Sequence, residues 1–317
     1  MTVRVALFGS GWVQATYHAA AVLEHPGGSL VAVANHREAS AKGLADRFGI
    51  PRVVTDWRSL AADPEVDAAI VATPNALHAP QTIALLRAGK HVLVEKPMAT
   101  RVAECDAMIE AARSSGSFLM VAHCWRFHER VIAMRERIAA GELGEVVKTR
   151  GYGLHAGDGP SGWFLDPDLA GGGALVDMGV HAVDTARFIL GDPEPQRVCA
   201  VVGTRYGQGR YEVDDDGILL ITWSNGTNSI VESGWWQPQV GGLEADTEAY
   251  GTKGYARIFP PPDPSDETEH APQAMYSAQV REFLDAIEEG RPPLPSGEDG
   301  RVVMRIVEEA YRNARVM

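Results

Sequence analysis

The sequence predicts an α/β + α+β protein: an α/β domain over residues 1–122, then over residues 123–317 a domain whose mostly antiparallel open sheet packs on helices. Three observations carry that expectation. A strand-like run, Val3–Phe8, leads through Gly9-Ser10-Gly11 into a helical pattern; strand and helix signals then alternate as far as residue 123; and from Val146 onward strand signals follow one another with few helices between. A chain of 317 residues, 45% hydrophobic and 22% charged, is long enough for two cores.

The first strand is apolar apart from Arg4. Its glycine turn continues through Trp12, Val13 and Gln14 into a helix marked by Tyr17, Ala20, Ala21 and Leu23, which stops at His25-Pro26-Gly27-Gly28. Residues 30–34 form a second apolar strand and complete a βαβ unit. Gly9 permits the tight turn, Gly11 lets the backbone approach a pyrophosphate, and the N–H groups of the helix start supply donors for its negative charge. The pattern predicts a Rossmann dinucleotide-binding domain with Gly9, Ser10, Gly11, Trp12 and Val13 along the cofactor. Gln14 stands where the fingerprint has its third glycine, so either helix and strand pack less closely there or the amide reaches the phosphate edge. After the second strand, Asn35-His36-Arg37 replaces the carboxylate that grips the ribose of NAD. A guanidinium suits a 2′-phosphate, which favours NADP over NAD, unless Arg37 only opens the solvated helix 36–48.

The α/β rhythm continues. A strand over 66–73 ends in Thr73-Pro74-Asn75-Ala76-Leu77-His78, a helix over 80–88 closes on Gly89, and a strand over 90–94 ends in Glu95-Lys96-Pro97. A helix over 103–113 and a strand over 118–123 finish the domain. Right-handed crossovers gather these strand ends along one sheet edge, where His36, Thr73, Pro74, Asn75, His78, Glu95 and Lys96 are expected to meet the cofactor. Pro97 restricts Lys96 to an extended conformation at the lip of the sheet. A Lys96 salt bridge to Glu95 is geometrically poor, because neighbours in a strand face opposite ways.

In the second half, strands are expected at 146–152, 198–203, 218–223, 229–235, 247–250 and 255–259, with one sheet face on helices and the other available to a second copy of the chain. Trp223, Trp235 and Trp236 suit core or subunit interface better than a ligand cage. The acidic proline-rich stretch 260–272 is assigned no function, and helices close the chain at 276–289 and 300–315. Within this half runs Gly171-Gly172-Gly173-Ala174-Leu175-Val176-Asp177-Met178-Gly179-Val180-His181-Ala182-Val183-Asp184. On a regular helix Asp177, His181 and Asp184 share one face, opposite Leu175, Met178, Ala182, Ala186 and Ile189. A histidine between carboxylates suits proton transfer; a buried network that merely orients the helix fits the same spacing. A metal site from these three is disfavoured, since no further ligand cluster is visible, and no metal is expected.

A formal net charge of −13 with no basic block disfavours nucleic acid as partner. No run approaches the ~20 apolar residues of a membrane span, and no charged leader precedes the first strand. Cys105, Cys124 and Cys199 form no CxxC or zinc-like spacing, so a reducing, cytoplasmic location is expected.

Taken together, GSGW, ATPNALH, EKP and GGGALVDMGVHAVD closely resemble the glucose-fructose oxidoreductase, inositol dehydrogenase and MocA (Gfo/Idh/MocA) family. With Ala122-His123-Cys124-Trp125-Arg126-Phe127, Tyr250-Gly251-Thr252-Lys253-Gly254 and Ser296-Gly297-Glu298-Asp299-Gly300, the resemblance runs almost end to end. It implies a C-terminal open sheet through which a homodimer or homotetramer forms, and hydride transfer between NADP or NAD and a secondary alcohol or ketone of a sugar, inositol or related polyol. By that resemblance Lys96 matches the catalytic lysine, Asp177 the acidic residue and His181 the proton-transferring histidine. Lysine starts near pKa ~10.4 and histidine near ~6.5, so His181 is the easier base and Lys96 the polariser of the reacting oxygen. Asp177 would orient substrate or histidine. Arg126, His155 and Trp163 are expected at the substrate pocket. Other readings of such a chain are a non-catalytic cofactor-binding regulator and a glycosidase that uses transient oxidation.

Overall fold

The computed structural model describes residues 2–157, 159–237, 245–259 and 272–314. Nearly all of the proline-rich stretch 260–272, and the last residue of the expected helix 300–315, lie outside the described residues. The chain divides into two compact units, Met1–Cys124 with Ala271–Arg301, and Trp125–His270 with Val302–Met317.

In the first unit β1 (Val3–Phe8), β2 (Gly28–Ala34), β3 (Val53–Val54), β4 (Ala68–Val71), β5 (His91–Glu95) and β6 (Leu119–Ala122) form one parallel sheet in the order β3-β2-β1-β4-β5-β6. β4 and β6 are buried at every position, as continuous apolar runs covered on both faces must be. The helices α1 (Ala19–Glu24), α2 (Glu38–Phe48), α3 (Arg58–Ala61), α4 (His78–Arg87) and α5 (Val102–Ser115) connect them. β3 and α3 had no counterpart in the sequence expectations; two and four residues long, they hold too little periodicity to read. The first helix also differs from expectation. It opens with a π turn, Gln14–His18, before α1 continues it.

The contiguous split at residue 122 misses a return of the chain. The segment 271–301 groups with the first unit: Tyr276 stacks on Tyr17 at 4.2 Å, Val121 N donates to Pro295 O at 3.1 Å, and Gly300 sits so close to Val121 and Met98 that a Cβ there would lie 2.7 Å from Val121 Cγ2. These are docking contacts between segments far apart in sequence, which local pattern does not encode.

The second unit contains α6 (Glu129–Ala139), β7 (Val146–Ala156), α7 (Pro167–Ala170), α8 (Val180–Ile189), β8 (Pro195–Gly203), β9 (Asp216–Trp223), β10 (Asn228–Gln237), β11 (Ala245–Gly251) and β12 (Tyr255–Arg257). The sheet order is β12-β11-β7-β10-β9-β8, antiparallel throughout except where β10 runs parallel to β7. β9 shows the alternation of a half-covered strand: Leu219, Ile221 and Trp223 are fully buried, whereas Ile218 and Leu220 are 52% and 46% exposed. Val131, Met134, Ile189, Ala249 and Ile258 belong to one apolar core. Trp223 and Trp235 are core residues at 0% exposure. Cys105 and Cys124 are buried and Cys199 is exposed on β8. Among the described residues no helix is long and apolar enough to cross a membrane.

α8 departs from its helical-wheel reading. A π turn, Leu175–Gly179, precedes it, and all of its residues but Phe188 are buried, so it has no polar face opposite an apolar one. The wider turn departs from the 3.6-residue spacing on which the row of Asp177, His181 and Asp184 was expected.

Candidate active site

The nucleotide end of the first unit is built on β1 and the turn after it. Gly9 has φ 95°, and a Cβ on it would lie 2.3 Å from Ala72 O, so both the conformation and the neighbouring strand demand glycine. Gly11 is different. Nothing lies within 4 Å of its Cβ position, so the chain's own packing does not require a glycine there, and the open space is what an approaching pyrophosphate needs. Ala15 N donates to Gly11 O at 3.0 Å as the helix begins. Trp12 is 69% exposed, edge-on to Tyr17. These features fit NAD(P).

Gln14 neither loosens the turn nor reaches outward. It is fully buried, and its Nε2 donates to Ile70 O at 2.9 Å and Phe8 O at 3.3 Å, joining the π turn to β1 and β4. At the end of β2, Asn35 Nδ2 donates to Ser10 Oγ at 2.6 Å while its Oδ1 accepts from Arg37 N at 2.9 Å. This Asx turn leaves His36 and Arg37 exposed, with Arg37 extended at the N-cap of α2.

The other strand ends are tied together. Thr73 Oγ1 donates to Gln81 Oε1 at 2.8 Å, Pro74 leads into a 3-10 turn over Asn75–Leu77, and Asn75 is buried. His78, which sequence assigns to the cofactor, faces the protein instead: its ring spans Pro97 O at 2.8 Å from Nδ1 and Thr73 O at 2.9 Å from Nε2. Burial pushes its pKa down, against the raising effect of the two carbonyls. Glu95 likewise points inward, with Oε1 2.8 Å from His18 Nε2 and Oε2 accepting from Lys96 N at 3.1 Å. Burial opposes its ionisation, but the bond to His18 and the nearby cations outweigh burial and hold the carboxyl below its usual value. Lys96 is half-buried just beyond β5. Burial pushes the Cys124 thiol up to about 12.

In the second unit Asp177 and His181 are 7% and 8% exposed. Asp177 Oδ2 accepts from Trp235 Nε1 at 3.1 Å and lies 3.3 Å from His155 Nε2. The His181 ring meets Trp125 edge-on, 6.5 Å between centroids. Asp184 is taken by Arg126 in a bidentate contact. Arg126, expected at the substrate pocket, is 7% exposed and also lies 3.1 Å from Asp192, so its guanidinium is held by two carboxylates. Trp163 is half-buried and stacks on Phe164 at 3.9 Å. Among the described residues no cluster of three or more His, Cys, Asp or Glu side chains can hold a metal ion.

Sequence reasoning missed the anchor of this helix start. Asp214 accepts from Gly173 N at 2.8 Å, Leu175 N at 2.9 Å and Tyr311 OH at 2.6 Å, and Gly173 packs so closely that a Cβ would collide with Asp214 O. Burial raises the Asp214 pKa although these donors oppose it. The one signal was the run Asp214-Asp215-Asp216 entering a strand, where carboxylates are out of place unless bonded.

A parallel sheet in the order 3-2-1-4-5-6 with a glycine turn open to a pyrophosphate defines a dinucleotide-binding class of protein. Residues 3–123 match the model of the oxidoreductase family with an NAD-binding Rossmann fold, and residues 131–257 match the Gfo/Idh/MocA C-terminal domain. The chain belongs to the Gfo/Idh/MocA family and is an NAD(P)-dependent oxidoreductase. It is 31% identical to D-xylose 1-dehydrogenase (NADP(+)) 2 of Haloferax volcanii, over 95% of this chain and 91% of that one. Among solved structures it resembles the aldose-aldose oxidoreductase from Caulobacter crescentus complexed with glycerol, with TM-score 0.86, 29% identity and coverage of 99% and 98% of the two chains. A levoglucosan dehydrogenase in complex with NADH and levoglucosan matches with TM-score 0.85, 26% identity and coverage of 99% and 97%.

Proposed function

We propose that this chain is a dehydrogenase or reductase of a free sugar or polyol, acting on a secondary carbinol with NADP preferred over NAD. The observation that carries the reading is a buried carboxylate and imidazole, Asp177 and His181, at the start of a buried helix, in a chain that also places a half-buried Lys96 directly after β5. The nicotinamide, when bound, supplies the acceptor for hydride. His181 takes the hydroxyl proton as the C=O forms and returns it in the reverse direction. Lys96 polarises the reacting oxygen, and Asp177 orients substrate or imidazole. Arg126 acts through Asp184 on α8 rather than on substrate, while His155 and Trp163 serve the substrate pocket. Exposed Arg37 and the lack of a carboxylate at Asn35 support NADP, as does the cofactor in the name of the Haloferax relative.

We further assign the protein to the cytoplasm and to a homodimer or homotetramer formed through the outward sheet face, where Ile218, Leu220 and Tyr255 are exposed. The test of function follows NADP and NAD reduction with D-xylose, D-glucose, myo-inositol and glycerol, and the reverse reaction with the matching ketones. Lys96→Ala and His181→Ala should each lose about a hundredfold or more in kcat. Undiminished turnover in both variants overturns the assignment. Cofactor binding without turnover on any probe indicates a regulator, and release of sugar without net NADH absorbance indicates a glycosidase.

A further inference from the structure

β10 pairs regularly with β7 up to Gly234 and slips register between Gly234 and Gln237. Inside the slip Trp236 has φ 60°, a backbone region that bulky L residues rarely enter. Bulges of this kind re-aim a neighbouring side chain, and they recur beside functional sites. The side chain in question is Trp235, which is fully buried with its Nε1 3.1 Å from Asp177 Oδ2.

The indole is held from its other side. Trp235 N donates to Asp215 O at 2.9 Å, and the ring meets Tyr211 edge-on with centroids 6.2 Å apart. The Tyr211 hydroxyl donates to Asp215 Oδ2 at 2.8 Å and accepts from Trp236 Nε1 at 2.9 Å. Asp215 is itself fully buried and fixed by Arg205 N at 2.5 Å and Gly207 N at 2.6 Å. A rigid frame therefore ends in one N–H aimed at one carboxylate oxygen. An indole only donates and carries no charge. It can fix the plane of a carboxylate without exchanging a proton with it, which the titratable His155, its Nε2 3.3 Å from the same Asp177 Oδ2, can do.

We infer that Trp235 is a positioning residue for the reaction, its indole N–H holding the Asp177 carboxylate in the orientation that substrate or His181 requires. The inference rests on the role proposed for Asp177. Trp235→Phe removes the donor and keeps most of the ring. Trp223→Phe is its matched control, because Trp223 is equally buried and donates through Nε1 to Ser229 Oγ at 2.6 Å, away from Asp177. Protonation of His181 sets the acid limb; without the indole N–H the Asp177 carboxylate is less neutralised and favours the imidazolium, so loss of the bond moves that limb up.

The experiment compares kcat and kcat/KM against pH for wild type, Trp235→Phe, Trp223→Phe and Asp177→Asn, using NADP and whichever of D-xylose, D-glucose and myo-inositol is turned over fastest. In Trp235→Phe kcat should fall about tenfold and the acid limb of kcat/KM should move up by about one pH unit. Trp223→Phe should leave the limb in place, and the Kd for NADP should hold in both. An unmoved limb with unchanged kcat in Trp235→Phe, alongside loss of activity in Asp177→Asn, overturns the role of Trp235 alone. Full turnover in Asp177→Asn overturns the role of Asp177 and with it that of Trp235. Should Trp235→Phe fail to fold, the indole N–H resonances of the seven tryptophans decide the matter. One of them should move upfield in Asp177→Asn, and no movement in any overturns the inference.

Discussion

Arg126 and Asp184 form a buried ion pair with Nη2 and Nε on the two carboxylate oxygens at 2.6 and 2.8 Å, the side chains 7% and 2% exposed. Asp184 lies one turn beyond His181 on α8, so the pair fixes the helix that carries the imidazole. Removing one partner strands a desolvated charge. Arg126→Ala should cost about 3–5 kcal/mol in urea unfolding, and Arg126→Met with Asp184→Leu should recover part of that loss. Equal stability of Arg126→Ala and wild type would contradict the pairing.

The two glycines of the nucleotide turn should separate stability from binding. Gly9→Ala meets Ala72 O and a strained φ, and should destabilise the fold by roughly 1–3 kcal/mol. A Cβ at Gly11 meets nothing within 4 Å, so Gly11→Val should leave the melting temperature within a few degrees while abolishing NADP binding in a fluorescence titration.

Glu95 gives the acid side of the stability curve a definite sign. Its folded pKa lies below the usual 4.5 because the bond to His18 and nearby cations outweigh burial. A depressed carboxyl contributes stability that is present above the unfolded value and lost as pH falls through the folded one. Chemical denaturation from pH 6 down to pH 3 should therefore show a shallower loss in Glu95→Gln than in wild type. A parallel loss would remove Glu95 from the account.

Cofactor preference should follow the end of β2. Arg37→Ala should weaken NADP about tenfold or more and leave NAD nearly unchanged, and adding Asn35→Asp should reverse the preference. Calorimetric titrations of both cofactors check this, and no change in the NADP to NAD ratio would return Arg37 to a helix-capping role.

Much of the fold was legible because burial writes it into the residues. β1 coincides with the apolar run expected at Val3–Phe8, and the glycine turn, the strand ending at Glu95 and the alternation in β9 all follow from periods of two or from runs buried on both faces. The π turns at Gln14–His18 and Leu175–Gly179 were not legible. Each adds one residue to a turn through tertiary contacts, Gln14 on the carbonyls of Phe8 and Ile70, and Asp214 on the N–H groups of Gly173 and Leu175. The second of them falls on the Asp177 end of the expected Asp177, His181 and Asp184 row. The partner of Arg126 was not legible either, since Asp184 is 58 residues away and a lone arginine at a domain junction looks like a ligand contact. His78 and Glu95 were placed at the right strand ends, but which way each points depends on neighbours from other strands.

The cysteines have a practical corollary. Cys105 and Cys124 are enclosed, and the Cys124 thiol keeps its proton at neutral pH, whereas Cys199 stands exposed beside Leu220 on the outward side of the sheet. A maleimide fluorophore should attach there at one dye per native chain. The wild-type protein thus offers a built-in optical probe on the face assigned to self-association, with no cysteine to engineer in or out.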